Sequence, residues 1–142
     1  MTETRDISSP ERLHIISSEL SALARQHGRA PDDVTLIAVS KTHPASVILP
    51  VLDAGHRVFG ENRVQEAAEK WPALRATYDD VELHLIGALQ SNKAAQAVAL
   101  FDVIHSLDRP KLAAALARAM AEPGRRPQLF IQVNTGDETQ NA

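Results

Sequence analysis

The sequence has 142 residues, which is enough for one domain, and its 44% of hydrophobic and 23% of charged residues are those of an ordinary globular protein. The net charge of -3 gives no electrostatic reason to expect a nucleic acid partner, and the absence of cysteine excludes disulfides and thiolate metal sites. No apolar run is long enough to span a bilayer, and the polar N-terminus lacks the apolar core of a signal peptide, so we expect a cytoplasmic protein with no membrane partner.

The first predicted element is a helix over residues 8–28. Ser8 and Glu11 have the spacing of a capping box, and Pro10 suits the first helical turn. Gly28 is the residue type that commonly ends a helix. An apolar stripe at helical spacing runs along the element: Leu13, Ile16, Leu20 and Leu23.

The run from Val34 to Lys41 is almost unbroken in apolar residues and rich in β-branched ones, which predicts a strand buried on both faces. Because side chains alternate along a strand, Lys41 shares a face with Ile37 and Val39. An ammonium that continues an apolar face is poorly solvated, and the neutral amine that desolvation favours is a nucleophile that forms Schiff bases with carbonyl compounds. The alternative is that Lys41 leaves the strand and extends its side chain into water.

Strands and helices are predicted to alternate along the rest of the chain. Strand-like runs begin near Val34, Arg57, Val81, Val103 and Gln128, and helical patterns follow the first four at 44–54, 62–76, 91–100 and 109–121. This alternation predicts parallel strands joined by crossover helices, an α/β fold. Two architectures fit: a five-stranded open doubly wound sheet, or a leading helix and about five βα units of a TIM-type (β/α)8 barrel. The chain stops soon after the fifth strand, which favours a single barrel domain over residues 1–142 that is truncated there.

The polar residues that follow the predicted strands have a structural interpretation. Asn62, Ser91 and Asp108 each fit the N-cap of the helix that comes next, and Pro110 suits the first turn of the last helix. Pro50 lies inside the second helical pattern, where it predicts a kink or a late start of the helix.

The remaining histidines and glycines show no pattern of a metal site, a catalytic triad or a nucleotide-binding loop. His84 lies within an apolar strand, where a hydrogen-bonded core histidine is expected, while Gly60 and Gly87 mark places where the backbone bends or another group comes close. The six histidines lack the paired spacing of metal ligands, no Ser-His-Asp arrangement is identifiable, and the familiar nucleotide-binding loops are absent. We therefore predict no metal site.

Three segments in one order and spacing carry a family resemblance: Ala38-Val39-Ser40-Lys41-Thr42, then Phe59-Gly60-Glu61-Asn62, then the stretch 84–93. With these motifs the chain resembles the pyridoxal phosphate homeostasis protein family, in its N-terminal part only. The resemblance implies a barrel like the alanine racemase N-terminal domain, in which Lys41 holds pyridoxal 5′-phosphate as a Schiff base. It also implies that Asn62 lines the cofactor site.

The resemblance further implies a role in vitamin B6 homeostasis, in which pyridoxal phosphate is bound and passed to apoenzymes that depend on it. No catalytic reaction is established for the family, so it implies no catalytic residue. The family's usual lysine after the fifth strand is missing from the segment 137–141, where Asn141 stands instead. Its phosphate-binding residues, and an arginine near the pyridine ring, belong to later strands.

Three alternatives to a cofactor carrier remain open. The first is a racemase-like or transaminase-like enzyme that uses pyridoxal phosphate on Lys41, although no residue is identifiable as the second acid–base group of a racemase. The second is a barrel of the Schiff-base aldolase kind, in which Lys41 reacts directly with a carbonyl substrate. The third is an interaction module without chemistry of its own.

Overall fold

The computed structural model describes residues 7–122, 124–136 and 139. The helices are α1 (Ser9–Gln26), α2 (Ala45–Asp53), α3 (Val64–Thr77), α4 (Ala94–Leu100) and α5 (Pro110–Ala121). The strands are β1 (Ala38–Val39), β2 (Val58–Glu61), β3 (Glu82–Leu85), β4 (Val103–Leu107) and β5 (Gln128–Ile131). Short 3-10 helices lie at Pro31–Asp33 and Ser91–Lys93. The predicted alternation of strand and helix is confirmed, and each predicted helix agrees with the observed one to within a turn.

The five strands form one parallel sheet in the order β1-β2-β3-β4-β5. Each strand therefore pairs with the next along the chain, and the order does not reverse as it does at the switch point of a doubly wound sheet. This sequential winding is that of a (β/α)8 barrel, so the predicted barrel portion is confirmed and the doubly wound alternative is wrong.

The buried core lies between one face of this sheet and helices α2 to α5. Phe59 of β2 is in register with Leu83 of β3, and Leu85 of β3 with Ile104 of β4, so all four side chains lie on the same face. Helical side chains complete the core, among them Leu52, Trp71, Val98, Leu112 and Leu116. The opposite face carries the residues that point to the interior in a closed barrel.

The first strand differs most from its prediction. Only Ala38 and Val39 form ladder pairs, and the side chain of Val39 is 49% exposed, so the run 34–41 is not buried on both faces. Within the described residues β1 pairs with β2 alone, and a strand at the edge of a sheet has no neighbour to cover its other side. Lys41 is exposed as a result, which contradicts the expectation of a desolvated lysine and agrees with the alternative that its side chain reaches water.

The first helix begins and ends close to where it was predicted. Ser8 is its N-cap, and the Ser8 Oγ accepts a hydrogen bond of 3.3 Å from the Glu11 backbone N–H, while Pro10 lies in the first turn. Gly28 follows the end of the helix with a φ of 72°, a left-handed conformation that glycine adopts at little cost. The predicted apolar stripe is largely exposed at Ile16 and Leu23.

The three predicted helix caps are wrong. Helix α3 begins at Val64 with Arg63 as the N-cap residue, so Asn62 lies one residue too early to cap it. Ser91 belongs to the 3-10 helix that precedes α4, and its side chain caps neither element. Asp108 precedes the N-cap residue of α5 and pairs with Arg109 at 2.7 Å instead.

Prolines inside helices are tolerated here. Helix α2 begins at Ala45 and continues through Pro50 to Asp53, so the predicted late start is wrong. Pro110 lies in the first turn of α5, as predicted. The segment 137–141, where the resemblance expects a lysine, lies outside the described residues except for Thr139.

Candidate functional site

Lys41 lies in the turn that joins β1 to α2. The turn is closed by a hydrogen bond of 3.2 Å from the His43 N–H to the Ser40 carbonyl, and Thr42 within it has a φ of 65°. No other non-glycine residue of the described chain has a positive φ. Lys41 itself makes no hydrogen bond or ion pair with another described residue. Its amine is therefore accessible to a ligand at the carboxyl edge of the sheet.

Asn62 directly follows β2, the strand that pairs with β1. Val39 of β1 is in register with Gly60 of β2, and Lys41 and Asn62 each lie two residues beyond this last pair of the ladder. A hydrogen bond of 2.9 Å from the Ser40 N–H to the Gly60 carbonyl maintains this register beyond the strand. Both candidate residues thus follow the carboxyl ends of neighbouring strands, at the edge where ligands bind in barrels of this kind, and no hydrogen bond joins their side chains.

Gly60 and Gly87 were predicted to lie where another group comes close to the backbone, and the structure confirms this for both. A Cβ atom added at Gly87 would lie 2.3 Å from the carbonyl oxygen of Asn62, and one added at Gly60 would lie 2.9 Å from Cγ2 of Ile37. Gly87 follows β3, so its lack of a side chain lets the ends of β2 and β3 come together at Asn62. Asn62 itself is half-buried.

A buried carboxylate lies beneath the turn that carries Lys41. Glu61, the last residue of β2, is 0% exposed, and its Oε2 accepts a hydrogen bond of 2.6 Å from Ser40 Oγ. Its Oε1 lies 2.7 Å from Nζ of Lys70, which reaches over from α3. Burial raises the pKa of Glu61 above its usual value, and the contacts with Lys70 and Ser40 act in the opposite direction.

Lys70 connects this carboxylate to the backbone of the turn. Its Nζ donates hydrogen bonds to the carbonyl oxygens of Ser40 at 2.8 Å and His43 at 2.9 Å, and it pairs with Glu66 at 2.8 Å. Glu66 in turn accepts a hydrogen bond of 2.8 Å from the Thr42 N–H. The Lys70 contact lowers the pKa of Glu66, because a neighbouring cation favours the carboxylate.

A second polar cluster lies lower on the face opposite the core. His84 Nδ1 is 2.7 Å from His105 Nε2, and His84 Nε2 is 2.9 Å from Glu82, so the predicted hydrogen-bonded histidine is confirmed. The ring of Phe130 stacks on His105 with 5.0 Å between centroids. Burial and the neighbouring His84 lower the pKa of His105. The described residues contain no group of three or more side chains suited to hold a metal ion.

The sequence matches one family over most of its length. The sequence model of the alanine racemase N-terminal domain covers residues 15–139. The chain belongs to the alanine racemase N-terminal domain family.

Among curated proteins, the chain is similar to pyridoxal phosphate homeostasis proteins. It is 43% identical over 128 residues to the one from Escherichia coli K12, which covers 87% of this chain and 53% of the relative. It is 38% identical over 133 residues to the one from Vibrio alginolyticus, which covers 92% of this chain and 57% of the relative. The chain thus spans about half the length of the curated relatives it matches, and the predicted resemblance to their N-terminal part is confirmed.

Solved structures agree with this assignment to the alanine racemase N-terminal domain family. PipY of Synechococcus elongatus, solved with pyridoxal phosphate bound, has 48% sequence identity and a TM-score of 0.71, over 84% of this chain and 56% of that one. A protein from Bifidobacterium adolescentis described as unknown has 30% identity and a TM-score of 0.83, over 92% of this chain and 57% of that one.

Sequence reasoning proposed Lys41 and Asn62 as cofactor-binding residues and did not single out Lys70, which the structure places beside the Lys41 turn. The signal available in the sequence was the spacing of Glu66 and Lys70, four residues apart on one helix, which predicts an ordinary surface ion pair. That spacing contains no information about Glu61 or the turn. Only the packing of α3 against the ends of β1 and β2 brings them together.

Proposed function

We propose that this chain takes part in the binding and homeostasis of pyridoxal 5′-phosphate, with Lys41 as the residue that holds the cofactor as a Schiff base. The observation that supports this most directly is the accessible Lys41 amine, without a competing partner among the described residues, at the carboxyl edge of a barrel-type sheet. The similarity to PipY, whose structure contains pyridoxal phosphate, supports the choice of ligand.

The residues at this edge fit the aldehyde end of the cofactor. Pyridoxal phosphate supplies an aldehyde that condenses reversibly with a primary amine and releases water. Lys41 presents such an amine, whereas the Nζ of Lys70 is already surrounded by four oxygen acceptors. Asn62 makes no side-chain hydrogen bond with the described residues, so its amide is available to a ligand at the carboxyl edge of the sheet.

We assign no catalytic residue, because the curated relatives are named for homeostasis and not for a reaction. A carrier needs reversible attachment and release, and it needs no positioned acid–base pair for substrate protons. Pyridoxal phosphate-dependent apoenzymes are the proposed recipients. The family description keeps an amino-acid racemase as the second candidate, since alanine racemase gives the family its name.

The test uses the full-length protein, titrated with pyridoxal phosphate, reduced with borohydride and digested for peptide mass spectrometry. We expect a visible absorption band that reduction abolishes, and the reduced adduct on Lys41. Lys41→Ala should lose the band, while the matched control Lys111→Ala, which changes an exposed lysine on α5, should keep it. An adduct on Lys93 or Lys111 would contradict the assignment. Incubation with single amino-acid enantiomers then separates the candidates, because only a racemase produces the opposite enantiomer.

A further inference from the structure

Lys70 is the most highly connected polar side chain near the candidate site. Its ammonium has three N–H groups and lies within 2.9 Å of four oxygen atoms, which belong to the Ser40 and His43 carbonyls and to the carboxylates of Glu61 and Glu66. Its side chain is only 11% exposed. A lysine held in this way loses considerable rotamer freedom. Its contacts with the carboxylates of Glu61 and Glu66 are charge-assisted.

Lys70 contacts the backbone on both sides of Lys41. Ser40 precedes Lys41 and His43 follows it by two residues, and Lys70 holds the carbonyl oxygens of both. The intervening Thr42 N–H is held by Glu66, which is itself bound to Lys70. The backbone on both sides of Lys41 is therefore fixed from α3, and the left-handed φ of Thr42 is maintained by these bonds.

The same ammonium is joined to the strand that carries Asn62. Glu61 immediately precedes Asn62, is fully buried, and has Lys70 as its cationic partner. Ser40 Oγ also binds this carboxylate, so a direct link joins the end of β1 to the end of β2. Removal of Lys70 would leave the Glu61 charge buried and uncompensated, and would release the β1 turn at the same time.

We propose that Lys70 is a positioning residue that holds the Lys41 turn against Glu61, so that the Lys41 amine meets a carbonyl ligand at the carboxyl edge of the sheet. Lys70 does not itself react with the ligand, because its Nζ is already occupied by hydrogen bonds to the Ser40 carbonyl, the His43 carbonyl and Glu66 and by the ion pair with Glu61. This inference rests on the proposed function, since it assigns the attachment to Lys41.

The test compares Lys70→Met, which removes the charge and the donors, with Lys70→Arg, which keeps a cation and several donors. The control is Lys111→Met, on the exposed face of α5. Three quantities are measured on full-length protein: the dissociation constant for pyridoxal phosphate, the rate of adduct formation at Lys41, and the hydrogen exchange of residues 40–44 without cofactor. The last needs no loaded protein and reports directly on the turn.

For Lys70→Met we expect an adduct rate at Lys41 that is lower by about tenfold, weaker binding by a similar factor, and faster exchange at Thr42 and His43. Lys70→Arg should recover part of each, and Lys111→Met should match the parent. If Lys70 had a purely structural role, Lys70→Met would have a lower melting temperature but an unchanged adduct rate at temperatures where it is folded. That result would overturn the inference.

A second variant and a separate set of outcomes complete the test. If Lys70→Met does not fold, Glu66→Ala replaces it, because it removes the acceptor for the Thr42 N–H from a partly exposed side chain. We expect a slower adduct rate at Lys41 for this variant, and an unchanged rate with unchanged exchange would overturn the proposal. Failure of the parent to bind the cofactor, or retention of the adduct in Lys41→Ala, would instead overturn the proposed function.

Discussion

The hydroxyl of Ser40 donates a hydrogen bond of 2.6 Å to the buried carboxylate of Glu61, and this contact ties the ends of β1 and β2 together. Both residues are buried, and the Glu61 charge is balanced by Lys70 at 2.7 Å. A buried ion pair gives little net stability relative to apolar residues, but the loss of one partner leaves the other charge unbalanced.

Replacement of Glu61 by Gln should lower the free energy of unfolding by about 2 kcal/mol, because Lys70 would lose its buried partner and keep only the partly exposed Glu66. Urea denaturation measures this difference. Glu69→Gln, at an exposed position of α3 beside Lys70, serves as the control and should change stability by less than about 0.5 kcal/mol. A loss for Glu61→Gln no larger than that of the control would show that the pair is not required.

Asn62→Ala should separate cofactor binding from stability. Since Asn62 does not cap α3, its replacement should change the free energy of unfolding by less than about 0.5 kcal/mol. The dissociation constant for pyridoxal phosphate should rise about tenfold, because a hydrogen bond to the ligand is lost. Asn92→Ala, exposed in the 3-10 helix, is the matched control. Unchanged cofactor binding in Asn62→Ala would remove Asn62 from the site.

The two close-approach glycines should respond differently to alanine. At Gly87 the new Cβ meets the backbone of Asn62, which cannot move without shifting the end of β2, so we expect a loss of about 3 kcal/mol. At Gly60 it meets only side-chain methyl groups, Cγ2 of Ile37 and Cδ1 of Ile86, which can shift more easily than backbone, so we expect a loss of about 1 kcal/mol. Thermal unfolding of both variants checks the order, and the reverse order would contradict this packing.

Stability should fall as the pH is lowered through 6.5, the ordinary pKa of histidine. Burial lowers the pKa of His105 and His56 in the folded chain, so the unfolded chain binds protons first and protonation favours unfolding. Denaturant titrations at several pH values measure the slope. The variant His105→Asn should have a shallower slope than the parent, and an identical slope would mean that His105 does not contribute.

The 142-residue polypeptide expressed by itself should self-associate and hold pyridoxal phosphate poorly. Within the described residues β1 and β5 each have one free edge, and Ile131 and Val133 near the β5 edge are 75% and 70% exposed. Sedimentation velocity measures the association, which Ile131→Lys together with Val133→Lys should reduce. A monomer that purifies yellow and stays yellow through dialysis would contradict this prediction.

Local patterns in the sequence were enough to predict several parts of this protein. The spacing of apolar runs predicted the order of strands and helices, since the periods of 2 and 3.6 residues depend only on neighbours in the chain. Ser8, Glu11 and Gly28 predicted the bounds of α1 for the same reason. The lysine at the end of the first apolar run, with the two motifs that follow it, predicted the family to which the chain belongs.

Tertiary structure decided what depends on neighbours in space. Whether Lys41 is buried or exposed depends on what lies beside β1. The three predicted helix caps were wrong because packing set each helix start a residue or more away from the predicted capping side chain. The sequential strand order distinguished a barrel from a doubly wound sheet, although both have the same local pattern. Lys70 and Glu61 are nine positions apart, on different elements, and no periodicity relates them. Their contact exists because α3 packs over the ends of β1 and β2, where a buried carboxylate needs a cation.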